Sequence, residues 1–243
     1  PHPELYTPAS PDRREREFAV VHISKTLRFA AEVGAKVVVC HSGNVDMPKY
    51  SFELVRMAAR GEQFGEPYEA LKLKAQIARD KKAPRQIDYL SESLHALLPV
   101  VQETGVLLAL ENLPTWEAIP SELEGTQLMK RFHGSGIRLW WDIGHAQIRE
   151  NLGFINAARW LRRLAPFIAG MHIHDVEPPG QDHLMPPRGK VDFPALSDFA
   201  RMDMVRVLEP APDTDPEHVV RAIDYLRATW NLTEPQPKSG EQT

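Results

Sequence analysis

With 243 residues, 42% hydrophobic and 26% charged, and a formal net charge of −4, the chain has room for one large core of the size that single α/β barrels take. That charge balance leaves no electrostatic footprint for nucleic acid or an anionic membrane, and no apolar run approaches the roughly 18 residues that span a bilayer. A single cysteine, Cys40, excludes an internal disulfide and fits a reducing, cytoplasmic setting.

The segment up to Ser10 reads as a Pro-rich loop carrying His2, with no signal peptide. Ser10-Pro11-Asp12 then caps a helix that runs to about Val33, with Ala19, Ile23, Leu27 and Ala30 on one face and Gly34 closing it. Lys36–Cys40 is a β-branched strand, apolar on both faces as a buried parallel strand is, and it ends at His41. Residues 44–85 read as an inserted helical segment, with helices over Tyr50–Arg60 and Tyr68–Lys82. Lys72, Lys74, Arg79, Lys81, Lys82 and Arg85 make its second piece basic, which predicts a solvated face, with a lid or an oligomer contact as the functional alternative.

After Pro84 an amphipathic helix aligns Ile87, Leu90, Leu94, Leu97, Leu98 and Val101, and Gly105 ends it. A strand over Val106–Leu110 stops at Glu111-Asn112, and a helix around Ser121–Phe132 leads to the strand Arg138–Trp141. This strand stops on Asp142, turns through Gly144 and presents His145. A helix near Phe154–Leu164 precedes the strand Ile168–His174, which a Pro-, Gly-, Asp- and His-rich loop follows. A short helix from Pro194, the strand Met204–Leu208 ending at Glu209, and a helix from Asp215 to about Trp230 complete a single domain over residues 1–232. The polar, Pro-rich tail over 233–243 is expected to be disordered.

Alternating strands and helices predict parallel βαβ units. Each of the five strands carries a metal-type ligand at or just past its carboxyl end: His41, Glu111, Asp142, His172 and Glu209. In a parallel barrel those ends surround one mouth, where active sites form. Carboxylate and imidazole suit a divalent ion such as Zn, Mn, Fe or Co. Glu111 and Glu209, charged and ending apolar strands, are costly to bury unless coordinated or paired. His174 shares a strand face with His172 and reads either as a ligand or as a histidine behind the ligands. Cys40 is expected to point away from the barrel axis if His41 points in. Trp140, Trp141 and Trp160 read as core, although Trp116, in the loop after Glu111, could stack on a bound ligand.

Seven motifs together carry a resemblance: His2 in its loop, Val-Val-Val-Cys-His41, Leu-Ala-Leu-Glu111-Asn, Trp-Asp142-Ile-Gly-His145, Met-His172-Ile-His-Asp175, Asp182-His183-Leu and Val-Leu-Glu209-Pro. They resemble the xylose-isomerase-like TIM-barrel superfamily, which holds sugar isomerases and epimerases and abasic-site nucleases of the endonuclease IV type. The resemblance implies a (β/α)8-type barrel lacking its first three or so βα units, so five parallel strands open on one side are expected. It also implies that the sequence begins inside a longer chain.

By the same resemblance Glu111, Asp142, His172 and Glu209 match the metal ligands of the epimerase-type members, and His2, His41, His145 and His183 match further ligands of the multi-metal nucleases. Two departures stand out. Gln181-Asp182-His183 replaces the family's Asp-x-His, displacing the acid by one position, and Pro187 takes the place of a glycine before Arg188-Gly189.

The implied activity is a divalent-metal-dependent sugar isomerase or epimerase, with the ion (Zn, Mn, Co, Fe or Mg) stabilising an enediolate and Glu111 and Glu209 as catalytic acid and base. The partner is then a small sugar or polyol, with a homo-oligomer left open and nucleic acid disfavoured. The competing reading is a multi-metal phosphodiesterase that recruits the extra histidines, and a third is a metal-binding barrel without turnover.

Overall fold

The computed structural model describes residues 5–200 and 202–232; His2 and the tail expected to be disordered lie outside the described residues. The first helix, α1 (Arg13–Glu32), is capped by the Asp12 carboxylate, which accepts from the Arg14 and Glu15 amides. It leads to β1 (Val37–Cys40), α2 (Tyr50–Ala59), α3 (Glu66–Thr104) and β2 (Leu107–Glu111). Then come α4 (Glu122–Arg131), β3 (Ile137–Asp142), α5 (Ile143–Asn151), α6 (Ala157–Leu164) and β4 (Ile168–Ile173). The remainder is β5 (Asp175–Glu177), β6 (Gln181–Leu184), α7 (Ser197–Ala200), β7 (Val205–Leu208) and α8 (Pro216–Trp230).

Five strands form one parallel sheet in the order β1-β2-β3-β4-β7, the expected five-stranded part of a barrel. Helices cover its outer face, where Leu108, Leu110, Leu139, Trp141, Met171 and Ile173 pack with Leu27, Leu90, Leu94, Leu97 and Leu164 in the main core. The inner face carries the alternate residues. There a Cβ on Gly170 would lie 2.3 Å from the Trp140 ring, so Trp140 fills the interior directly above that glycine. The expected open side is present: Val205 and Val207 alternate with Arg206 on edge strand β7 and remain 43% and 38% exposed. Cys40 packs in the helix-side core, as expected, and burial and then the nearby Glu111 charge push its thiol up to about 12.

Four local expectations are corrected. The two helices drawn on either side of Pro84 are one helix, α3, running through Pro84 and Pro99. Each proline forfeits the bond to the carbonyl four residues back. Both prolines, and Asp80 and His95 at those positions, lie on the exposed side, where water can take the freed carbonyl. Meanwhile Ala83, Ile87, Leu90, Leu94, Leu97 and Val101 keep one buried register across both breaks.

Gly144 does not make a turn, because α5 starts directly after β3 with Asp142 as its cap. The loop after His174 contains an antiparallel ribbon, β5 with β6, that sequence pattern did not show. Asp175 anchors the return of that loop, accepting from the Val176, Gly189 and Val191 amides at 2.7–3.0 Å. Last, Arg79 is not solvated. It is buried against Glu124 at 2.6 Å and donates to the Trp116 carbonyl.

Candidate metal centre

Strand register alone brings the acids together. Asp142 is level with His172 and Glu111 with Trp140 in the parallel ladder, while the Glu209 amide continues it by donating to the Ile173 carbonyl. Candidate ligand atoms of Glu111, Asp142, His172 and Glu209 consequently lie within 4.8 Å of one another. All four project from the carboxyl ends of neighbouring strands on the inner face, where the sequence expected them to converge.

Hydrogen bonds fix the first three. His172 Nδ1 donates to Glu111 Oε1 at 2.8 Å and His41 Nε2 to Glu111 Oε2 at 3.1 Å. Asp142 Oδ1 accepts from the His145 amide at 2.7 Å, so the capping role and the candidate ligand position belong to one carboxylate. Asn112 clamps the same strand end: its side chain donates to the Asp142 carbonyl at 3.0 Å and accepts from the Asp142 amide at 2.9 Å. Its carbonyl takes the His145 Nδ1 proton at 3.0 Å, which leaves His145 Nε2 for a ligand.

Charge explains what the cluster lacks. Among the described residues the ion-pair partners of Glu111 and Asp142 are imidazoles only. Burial pushes the Glu111 carboxyl up, but the His172 and His41 hydrogen bonds outweigh it and hold it at about 2. Asp142 is lowered likewise, burial opposed by the His145 charge and the His174 hydrogen bond. Burial lowers His145, whereas at His172 the Glu111 bond overcomes burial and raises the ring. Glu209 Oε2 lies 3.3 Å from His172 Nδ1, but that proton is already given to Glu111, and the oxygen is buried without a hydrogen-bond partner. Three carboxylates, one imidazole and an orphaned oxygen make a donor set that fits a divalent cation.

A cavity of about 760 Å³ opens over these groups, lined among others by His41, Phe52, Glu117, Asp182, His183 and Glu209. The displaced acid Asp182 therefore still reaches the cavity. Glu117 is a residue the sequence reading missed. It is buried and accepts from the Ser51 amide at 2.9 Å, tying the loop after β2 to the first turn of α2; its one signal was an acid in an otherwise apolar stretch. His145, His174 and His183 form a second group with nitrogen atoms within 4.8 Å. Trp116 is not placed as expected: its ring stacks on Phe154 at 4.5 Å and 1°, with the Arg79 guanidinium 5.3 Å from its centre.

Comparison with known proteins agrees with this architecture. A protein of Methanocaldococcus jannaschii, described as uncharacterised, is 21% identical over 198 residues, 81% of this chain and 62% of that protein. The chain thus spans less than two thirds of that relative's length. The fold matches a D-tagatose 3-epimerase-like protein with a TM-score of 0.67 at 18% identity, over 93% of this chain and 74% of that one. It matches D-psicose 3-epimerase from Clostridium cellulolyticum H10 with a TM-score of 0.63 at 16% identity, over 92% of this chain and 74% of that one. The family model described as a xylose isomerase-like TIM barrel matches residues 1–229, and with its parallel sheet and strand-end carboxylates and imidazoles the chain belongs to that family.

Proposed function

We propose that the chain carries the active site of a divalent-metal-dependent sugar isomerase or epimerase. The observation that carries this reading is the convergence of Glu111, Asp142, His172 and Glu209 on one point beneath a cavity within the usual 300–1,000 Å³ of small-molecule sites. The names of the structural neighbours, epimerases of ketohexoses among them, favour the same substrate class.

Glu111, Asp142, His172 and Glu209 would hold the ion. When bound, it would supply Lewis-acid polarisation of the substrate carbonyl and neutralise the enediolate. Glu209 is the better placed proton acceptor, since its Oε2 is buried without a donor on it, whereas both Glu111 oxygens already accept from imidazoles. Glu111 would then return a proton from the other side, passing on the one that His41 Nε2 donates to it. Glu117 and Asp182 line the cavity and offer acceptors for substrate hydroxyls, and His145 Nε2 offers a further polar contact. The wall formed by α2 and its approach, including Phe52 and Met47, supplies apolar surface.

The second histidine group favours a rival reading, a multi-metal phosphodiesterase. The experiment that separates them is incubation with Mn²⁺ and a panel of ketohexoses in D₂O, with cleavage of abasic-site DNA run in parallel. The isomerase reading expects deuterium at the carbon beside the carbonyl. It also expects Glu209→Gln to slow that exchange by about 10²–10⁴-fold while retaining the ion, because an amide oxygen can still coordinate but has no useful basicity. DNA cleavage without exchange would refute it.

A further inference from the structure

We infer that His174 is a positioning residue that locks the Asp142 carboxylate to the His183 backbone, and not a ligand of a second ion. The inference rests on the metal reading above. His174 is fully buried. Its Nδ1 accepts from the His183 amide at 3.0 Å, which requires that nitrogen to be unprotonated. The ring proton is therefore on Nε2, which lies 3.0 Å and 3.2 Å from the two Asp142 oxygens. A neutral ring donating from one nitrogen and accepting at the other has no lone pair left for a cation.

Two further observations show that the surroundings are built around this ring. Gly144, in the first turn of α5, has no room for a side chain, since a Cβ there would stand 2.0 Å from His174 Cε1. Ring atoms held in a packed core cannot yield that distance, so glycine is needed at 144 for the space and not for a turn.

On its other side His174 stacks on the His183 ring at 4.3 Å and 20°. His183 has φ +54°, a left-handed conformation unusual for a residue other than glycine, and its amide is the one that His174 holds. The ring thus joins the end of β3 to the ribbon strand β6, and so couples the direction of an ion-binding carboxylate to the placement of His183 in the cavity wall. Partners of this kind that orient a ligand typically change metal affinity about 10–100-fold when removed.

Isosteres separate the two bonds. Glutamine at 174 can place an amide N–H near Nε2 and keep the bond to Asp142. Asparagine can place its carbonyl near Nδ1 and keep the bond from His183, but its amide stops short of Asp142.

The test has two arms. Long-range ¹H–¹⁵N spectra of the EDTA-treated, ¹⁵N-labelled chain should include a histidine signal with a protonated Nε2 and a bare Nδ1 that disappears in His174→Gln. Titration with Co²⁺, followed by its visible absorption, should show one ion in the wild type. Affinity should fall about 10–100-fold in His174→Asn and His174→Ala, with a shifted absorption band, and recover largely in His174→Gln. A second Co²⁺ that His174→Gln abolishes, or an affinity unchanged in His174→Ala, would overturn the inference, as would a ring protonated on Nδ1. A wild type that binds no Co²⁺ yet shows the expected tautomer would overturn the metal reading itself, and with it the role of His174 toward an ion.

Discussion

Arg149 is fully buried and gives Nη1 to Glu122 at 2.9 Å and Nη2 to the Thr115 carbonyl at 3.1 Å. Replacing it with methionine keeps much of its volume but leaves the buried Glu122 carboxylate without its cation. Breaking one side of a buried pair costs about 3–5 kcal/mol, and at this chain length 1 kcal/mol moves the Tm by about 2–4 °C. Arg149→Met is therefore expected to lower the Tm by roughly 6–20 °C. Adding Glu122→Gln removes the stranded charge, so the double variant should be more stable than Arg149→Met alone.

Urea melts of the two single variants and the double variant, analysed as a mutant cycle, measure this directly. A loss below about 1 kcal/mol in Arg149→Met, or strict additivity, would refute the reasoning. The pair bears on function because Arg149 and Arg79 hold the Thr115 and Trp116 carbonyls, and Glu117 follows them in the cavity wall.

Two other expectations follow from the same geometry. The Glu111 carboxyl, pushed up by burial but held by imidazole hydrogen bonds, falls from 4.5 to about 2, so its stabilisation is complete above pH 4.5 and is lost as pH falls toward 2, about 3 kcal/mol in all. His172, depressed by burial but raised overall by Glu111, contributes fully below pH 6.5 and loses that contribution as pH rises through its folded value. The EDTA-treated chain should thus be most stable between these limits, and thermal melts showing equal stability near pH 3 and pH 6 would contradict it. Pro84→Ala should restore the missing bond in α3 and stabilise the chain by up to about 3 kcal/mol; a urea midpoint that falls instead would show that the helix depends on its proline.

The parallel sheet and its ring of candidate ligands were legible because both are written in short-range pattern. Apolar runs such as Leu107–Leu110 define strands, and a charged residue closing each run marks the barrel mouth. The continuity of α3 was not legible, since a proline rule counts the lost bond but not the side of the helix on which it is lost. The α5 start was masked by Gly144, which reads as a turn signal when its reason is the His174 ring, distant in sequence but touching in space. Long-range pairs such as Arg79 with Glu124, separated by 45 positions, leave no local trace, so a buried arginine reads as one more solvated charge. Glu117 was missed for the same reason, because its partner is the Ser51 amide on another element.

Metal binding by the chelator-stripped chain tests the central claim most directly. Dialysis against Mn²⁺ followed by elemental analysis should find one ion per chain in the wild type and a large loss of it in Asp142→Ala and in His172→Ala, with both variants still folded by circular dichroism. No bound ion in the wild type, or an ion retained in both folded variants, would contradict the account.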